Sequence, residues 1–274
     1  MPEQITRRGM FGVAGVLGAG FVQAAPDDSR PDPKFGVCSY CVREFQRGLA
    51  ITILKQLGVR YVSVKDVHVS YNSTPAVAAK AREDFEKAGL QIVSGGTIPL
   101  NERGGLRKYF EYAKRCGMPM MVTAPTHEAL PEVEQLVKEY DIKVAIHTHG
   151  PEDNQFPNPQ AVLEAVKGLD PRIGVCMDVG HTMRTGVDVV ETAGLCGPRL
   201  LDMHFKDLMS PTQKDSQCAV GRGVMPVVAI LKQLRKMHYQ GSINLEYEIH
   251  SDNPLPGMLE SMAYMRGAAA GLAG

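Results

Sequence analysis

Residues 173–182 read IGVCMDVGHT. An apolar run leads straight into Asp178, and His181 follows three positions later behind a glycine. A run of this kind is a strand buried on both faces, as in parallel sheets covered by helices, and the carboxyl end of such a strand is where these proteins place their chemistry. Asp178 and His181 are therefore the first candidate site residues. The alternative is that Asp178 only caps the following helix or closes a turn.

The same alternation of strand and helix extends outward in both directions. Strands are expected at 35–39, 61–65, 91–94, 120–124 and 143–146 before this stretch, and at 200–205 and 242–247 after it. Helical spacing occupies 45–57, with Gly58 as the stop. A second helix opens with Thr74 as N-cap and Pro75 in its first turn and ends at Gly89. Others are expected near 105–116, up to Tyr140, after Asn158-Pro159, and over 257–267. Eight such units, each about 30 residues, predict an α/β protein of the (β/α)8 TIM barrel type, because parallel strands joined by right-handed crossovers close on themselves after eight. The 274 residues suit one such domain. An open doubly wound sheet is the alternative, but VCSYC after the first strand has none of the glycines of a phosphate-binding loop.

Ahead of the barrel, expected over 34–274, lie two segments of different character. TRRGMF at 6–11 places a twin-arginine pair before an acid-free apolar run, and VQA at 22–24 offers small residues for cleavage. Residues 1–25 therefore read as a Tat-type signal peptide, 26–33 as a proline-broken linker, and the protein as exported or periplasmic. The membrane enters only through that signal. Formal net charge is +0 and there is no Trp, so nucleic acid is not an expected partner. The six cysteines include one lone pair, Cys38 and Cys41 in CSYC, which lacks the second pair that a zinc ribbon needs. Disulfide pairing and homo-oligomer formation are both left open by the sequence.

Polar residues gather at the ends of strands five to eight: His147 and His149, Asp178 with His181, His204 with Lys206 and Asp207, and Glu246 with Glu248. Side chains two apart on a strand share a face, so four strand ends aim imidazole and carboxylate at one volume. Such a mixed set suits one divalent metal, Mn, Zn, Co, Fe or Mg, with positions open for substrate. Which residue of each strand end is the ligand is left open by the pattern, His147 and His149 of the fifth strand included. Glu246, His149, His181 and Lys206 are the expected catalytic groups, Lys206 as a point charge for an oxyanion or hydroxyl, or in an ion pair with Asp207 or Glu248. Lys65, His68, Arg222 and Glu248 are expected to contact substrate.

The motifs IHTHG at 146–150, DVGHT at 178–182, HFKD at 204–207, GRGV at 221–224 and LEYE at 245–248 give residues 34–270 a resemblance to the xylose isomerase-like TIM barrel superfamily, in particular its sugar phosphate isomerase/epimerase proteins. The resemblance implies one divalent metal held by Glu, Asp, His and Glu from four strands, and keto or aldo sugars as substrates. It carries over to Asp178, His204 and Glu246. The chain departs at His147, where those epimerases have a glutamate that serves as one of two acid/base groups. A metal-dependent sugar isomerase or epimerase, working by proton abstraction next to a carbonyl, is therefore expected beside an alternative, a lyase or hydratase acting on 3-keto sugars at the same site. An endonuclease IV-like phosphodiesterase would need a positive groove and ligands from early strands, and a silent sugar-binding barrel is the remaining reading. Export favours an unphosphorylated sugar.

Overall fold

The computed structural model describes residues 33–272. The signal peptide, the twin-arginine pair, the linker up to residue 32 and the localisation read from them lie outside the described residues. The strands are β1 (Lys34–Cys38), β2 (Tyr61–Val64), β3 (Gln91–Leu100), β4 (Met120–Pro125), β5 (Lys143–His147), β6 (Ile173–Asp178), β7 (Leu200–Phe205), the short β8 (Asp207–Leu208) and β9 (Gln217–Cys218), and β10 (Ser242–Leu245). All but β8 and β9 pair in parallel and close in the order β1-β10-β7-β6-β5-β4-β3-β2. With helices between the strands, beginning with α1 (Arg47–Gln56), α2 (Pro75–Lys87), α3 (Arg107–Cys116) and α4 (Leu130–Tyr140), this is the (β/α)8 barrel. β8 and β9 form an antiparallel ribbon after β7.

Local chemistry starts the helices where the sequence indicates. Thr74 Oγ1 accepts from Val77 N at 3.3 Å to open α2 (Pro75–Lys87), and Asn158 Oδ1 accepts from Ala161 N at 3.1 Å to open α5 (Pro159–Ala165). The departures also have local causes. β3 runs on to Leu100 through a register shift between Gly95 and Ile98, because the glycine pair interrupts the apolar pattern without ending the pairing to β4. The sixth crossover carries two short helices, α6 (Val179–Arg184) and α7 (Val189–Cys196). The last helix runs over Leu255–Gly271, through glycines that the sequence reading treats as its end. Among the described residues no helix is long and apolar enough to cross a membrane.

Inside the barrel, below the strand ends, lies a polar layer organised by Asp202, which is 0% exposed. Its Oδ1 accepts from Met203 N at 2.9 Å, Ser242 Oγ at 3.0 Å and Asn244 Nδ2 at 2.7 Å, and its Oδ2 accepts from Ser94 Oγ at 2.9 Å. Strands β3, β7 and β10 are thereby tied through one carboxylate. Burial raises the pKa of Asp202, and the donors and His204 oppose that rise. Asp202→Ala strips the acceptor from several buried donors and is expected to cost on the order of 3 kcal/mol in urea unfolding.

His68, expected at the pocket, belongs instead to the scaffold between β1 and β2. It is 3% exposed, with Nδ1 2.9 Å from Ser39 Oγ and Nε2 3.2 Å from the Phe45 carbonyl. Ser39 Oγ also accepts from Lys65 N at 2.8 Å, so its proton goes to Nδ1 and Nε2–H donates to Phe45. Both ring nitrogens are used, and none is left for substrate. Burial holds the His68 pKa below 6.5, so the unfolded chain binds this proton first. Its contribution to stability is intact above pH 6.5 and is lost as pH falls below that value. Urea titrations at successive pH values should show a smaller acid loss for His68→Gln than for wild type.

Candidate metal centre and active site

Strands β5, β6, β7 and β10 lie on one side of the closed sheet, and their ends deliver His147, Asp178, His204 and Glu246 to a common point. Register brings them level, since Asp178 faces His204 across β6 and β7. One donor atom from each lies within 4.8 Å of all the others. His147 Nε2 is 3.0 Å from His204 Nδ1, 3.7 Å from Asp178 Oδ2 and 4.0 Å from Glu246 Oε2, and His204 Nδ1 is 3.2 Å from Glu246 Oε1. All four residues are buried, Glu246 the least at 7% exposed. A second set one layer deeper, His147, Cys176 and His204, shares the two imidazoles. Burial raises the Cys176 thiol pKa strongly and keeps it protonated, so the carboxylates are the stronger donors.

Asp178 does two jobs with its two oxygens. Oδ1 accepts from His181 N at 2.8 Å and caps α6, while Oδ2 turns into the cluster. The Asp178 backbone N donates to Thr148 Oγ1 at 3.2 Å, so the threonine between the two histidines of IHTHG steadies the neighbouring strand end. The cap of α6 and the place in the cluster thus use different oxygens of one carboxylate.

Lys206 penetrates deeper than the sequence reading allows. Only 3% exposed, it places Nζ 3.0 Å from Asp178 Oδ2, 3.0 Å from Glu246 Oε2 and 2.9 Å from Glu248 Oε2. It does not pair with Asp207. Its stem passes over Gly180, where a Cβ would come within 2.6 Å of Lys206 Cγ. Of the three carboxylates only Glu248 receives a hydrogen bond from Nζ. The lone pairs of Asp178 Oδ2 and Glu246 Oε2 are compensated by charge but not by hydrogen bonds.

The electrostatics follow from burial and these contacts. Burial, reinforced by the Glu246 charge, pushes Asp178 up to about 6 against the pull of Lys206. For Glu246 burial acts upward too, but Lys206 and then His204 outweigh it and hold the carboxylate well below its usual range. Burial works against the charge on Lys206 and is outweighed by Asp178, Glu246 and Glu248. His147 is driven down by burial and then by His204, so its imidazole is neutral and free to donate a lone pair.

Around the rim, His181 and His149 stand over the cluster, with ring centroids 6.0 Å and 4.5 Å from that of His147. His181 Nδ1 is 3.3 Å from Arg184 Nη1, and burial, followed by the Lys206 charge, lowers its pKa to about 3. It is a neutral ring whose Nε2–H is the remaining donor. His149 pairs with Asp153 at 3.2 Å and is more exposed, which separates it from the cluster that His147 enters. The two do not lie equivalently because β5 ends at His147 and the chain turns. Lys65 Nζ donates to the Thr97 carbonyl at 3.0 Å and lies 5.7 Å from the Tyr40 ring. Arg222 is not brought to the site: its side chain is 66% exposed and pairs with Glu260 on the last helix.

Sequence reasoning missed the role of Asp207 and of the glycines after it. Asp207 Oδ1 accepts from Leu208 N at 2.8 Å and Met225 N at 2.9 Å, and Oδ2 accepts from Gly221 N at 2.9 Å and Gly223 N at 3.0 Å. A Cβ at Gly223 would meet Leu208 O at 2.2 Å, so the close approach requires glycine. An acid followed some fifteen residues later by a GRG run was the available signal.

The donor set fits a divalent metal. Two imidazoles and two carboxylates converge, and Asp178 Oδ2 and Glu246 Oε2 are buried without a hydrogen-bond partner. Comparison with known proteins agrees in fold. An uncharacterized protein of Methanocaldococcus jannaschii is 25% identical over 128 residues, 43% of this chain, and the match spans only 41% of that protein's length. The crystal structure of a D-psicose 3-epimerase with D-tagatose, from Clostridium cellulolyticum H10, superposes with a TM-score of 0.68 at 13% identity, over 86% of this chain and 99% of that one. That of a probable 3-DHS dehydratase of petrobactin synthesis, from Bacillus anthracis, does so with a TM-score of 0.70 at 13% identity, over 85% and 98%. Residues 51–268 match the family described as xylose isomerase-like TIM barrel, and the chain belongs to that family.

Proposed function

We propose that this barrel is a divalent-metal-dependent sugar isomerase or epimerase that abstracts a proton next to the carbonyl of an unphosphorylated keto sugar. The observation that carries the reading is the convergence of His147, Asp178, His204 and Glu246 within 4.8 Å, with two carboxylate oxygens lacking hydrogen bonds. Those four side chains would hold the metal, which when bound supplies Lewis acidity to a substrate carbonyl. Glu246, held ionised by Lys206 and His204, is the group available to take the proton. His181 offers Nε2–H to a substrate oxygen because Arg184 occupies its other nitrogen. Lys206 sets the charge of the floor, and His149, Glu248 and Lys65 stand at the rim.

The engagement of the cations described around the cluster supports a sugar without phosphate. Lys206 is held by three carboxylates, Arg184 by Glu152, Lys65 by Thr97 and Asp66, and Arg43 by the carbonyls of Tyr40 and Glu248. The export reading of residues 1–25 points the same way. A lyase or hydratase acting on a 3-keto sugar is favoured by one feature, His147 in place of a second glutamate, which leaves Glu246 as the single carboxylate base. A dehydratase among the proteins of this fold is in keeping with that reading.

Elemental mass spectrometry of the purified protein should find about one equivalent of Mn, Zn, Co or Fe, lost in Glu246→Gln and His204→Ala. Solvent deuterium should enter unphosphorylated ketohexoses, at a rate reduced about 100-fold or more in Glu246→Gln. Loss of water from a 3-keto sugar without isomer formation would move the assignment to the lyase. No bound metal after reconstitution would sink both. Lys206→Met is expected to lower the melting temperature of the metal-free protein more than that of the metal-loaded one, since a bound cation takes over its compensation of the carboxylates.

A further inference from the structure

We infer that Gln217 and Cys41 are positioning residues that hold the backbone of Glu246 and Glu248 from its two sides; the inference rests on the reading of Glu246 as a metal-binding, proton-carrying group. Strand β10 ends at Leu245, so the next three residues leave the sheet where the chain must be most fixed. Their peptide groups are nevertheless taken up. From the β1 side, Cys41 Sγ accepts from Tyr247 N at 3.0 Å and donates to Leu245 O at 3.4 Å. From the β7 side, Gln217 Nε2 donates to Glu246 O at 2.6 Å and its Oε1 accepts from Glu248 N at 2.9 Å. Glu246 N adds a bond to Phe205 O at 2.9 Å, and Arg43 Nη2 reaches Glu248 O at 3.0 Å.

Each of these two side chains offers one donor and one acceptor to peptide groups of residues i and i+2 on one edge, the pattern a parallel neighbour strand presents. They continue the sheet on both edges of the chain past Leu245, where the pairing of β10 with its neighbour strands runs out. Both come from elements that are themselves fixed. Cys41 is 0% exposed, and burial raises its thiol pKa well above the usual range, which keeps the S–H donor in place. Gln217 sits on β9, in the loop that Asp207 gathers through the amides of Gly221, Gly223 and Met225. The lone CxxC of the sequence thus acquires a use that is neither metal ligation nor disulfide formation: its second cysteine replaces a strand edge beside the site.

The test uses Co²⁺ titrated into the metal-free full chain, followed by calorimetry and visible absorption, with hydrogen exchange at the Tyr247 and Glu248 amides read in parallel. Gln217→Ala and Cys41→Val should each weaken Co²⁺ binding by about tenfold or more. Each should also speed exchange at the amide it releases, with the melting temperature near that of wild type. Cys41→Ser keeps a donor and an acceptor and should recover most of what valine loses. Wild-type affinity in folded Gln217→Ala and Cys41→Val overturns the inference, as does a folded serine variant as weak as valine. Should Cys41→Val not fold, Gln217→Ala decides alone, because its loop lies outside the barrel core. Wild-type protein that takes up no Co²⁺ overturns the metal reading and this role with it, a result distinguished by appearing before any variant is compared.

Discussion

Two carboxylates removed from water within reach of each other repel, and they remain ionised together only if a positive charge is buried with them. At the mouth of this barrel that charge is Lys206, 3.0 Å from both Asp178 and Glu246. Much of the surrounding structure serves this arrangement. DVGHT supplies the acid, the helix cap and the glycine over which the lysine passes. HFKD supplies an imidazole, the lysine and the acid that gathers the following loop, and LEYE supplies the two glutamates that receive the ammonium.

The interior is layered accordingly. Below, both oxygens of Asp202 are engaged by hydroxyl, amide and backbone donors of the fold. Above, Asp178 and Glu246 keep oxygens that no hydrogen bond uses. The same residue type is thus inert in one layer and available in the next, and the difference lies in how many donors face it. His147 adds a neutral lone pair where a carboxylate would have added another negative charge to the floor that Lys206 and His204 balance.

Most of the barrel and the four convergent strand ends were legible because period-two side-chain alternation and the order of strands in a closed parallel sheet determine which residues meet. Asp178, His204 and Glu246 stand at strand ends that this logic brings together, and the family resemblance singles them out. His147 and His149 did not separate, because the end of β5 is set by the turn that follows it and not by the strand pattern. His68 and Arg222 are misleading for opposite reasons. One is a histidine whose two ring nitrogens find partners inside the fold, the other an arginine whose partner lies on a distant helix. Cys41 and Gln217 were illegible as neighbours of Glu246: their partners are peptide groups some 206 and 31 residues away in sequence, and backbone atoms leave no trace in a residue pattern.

Gly180 has a bearing on how such a chain can change over time. Any side chain there would collide with the stem of Lys206, so the two positions are not free to drift separately. The lysine must be lost or shortened before the glycine can be replaced, and a lineage that has replaced the glycine cannot regain the lysine in this position by a single step. The pair acts as a latch on the charge of the barrel mouth, since each of the two positions can change only in a set order with the other.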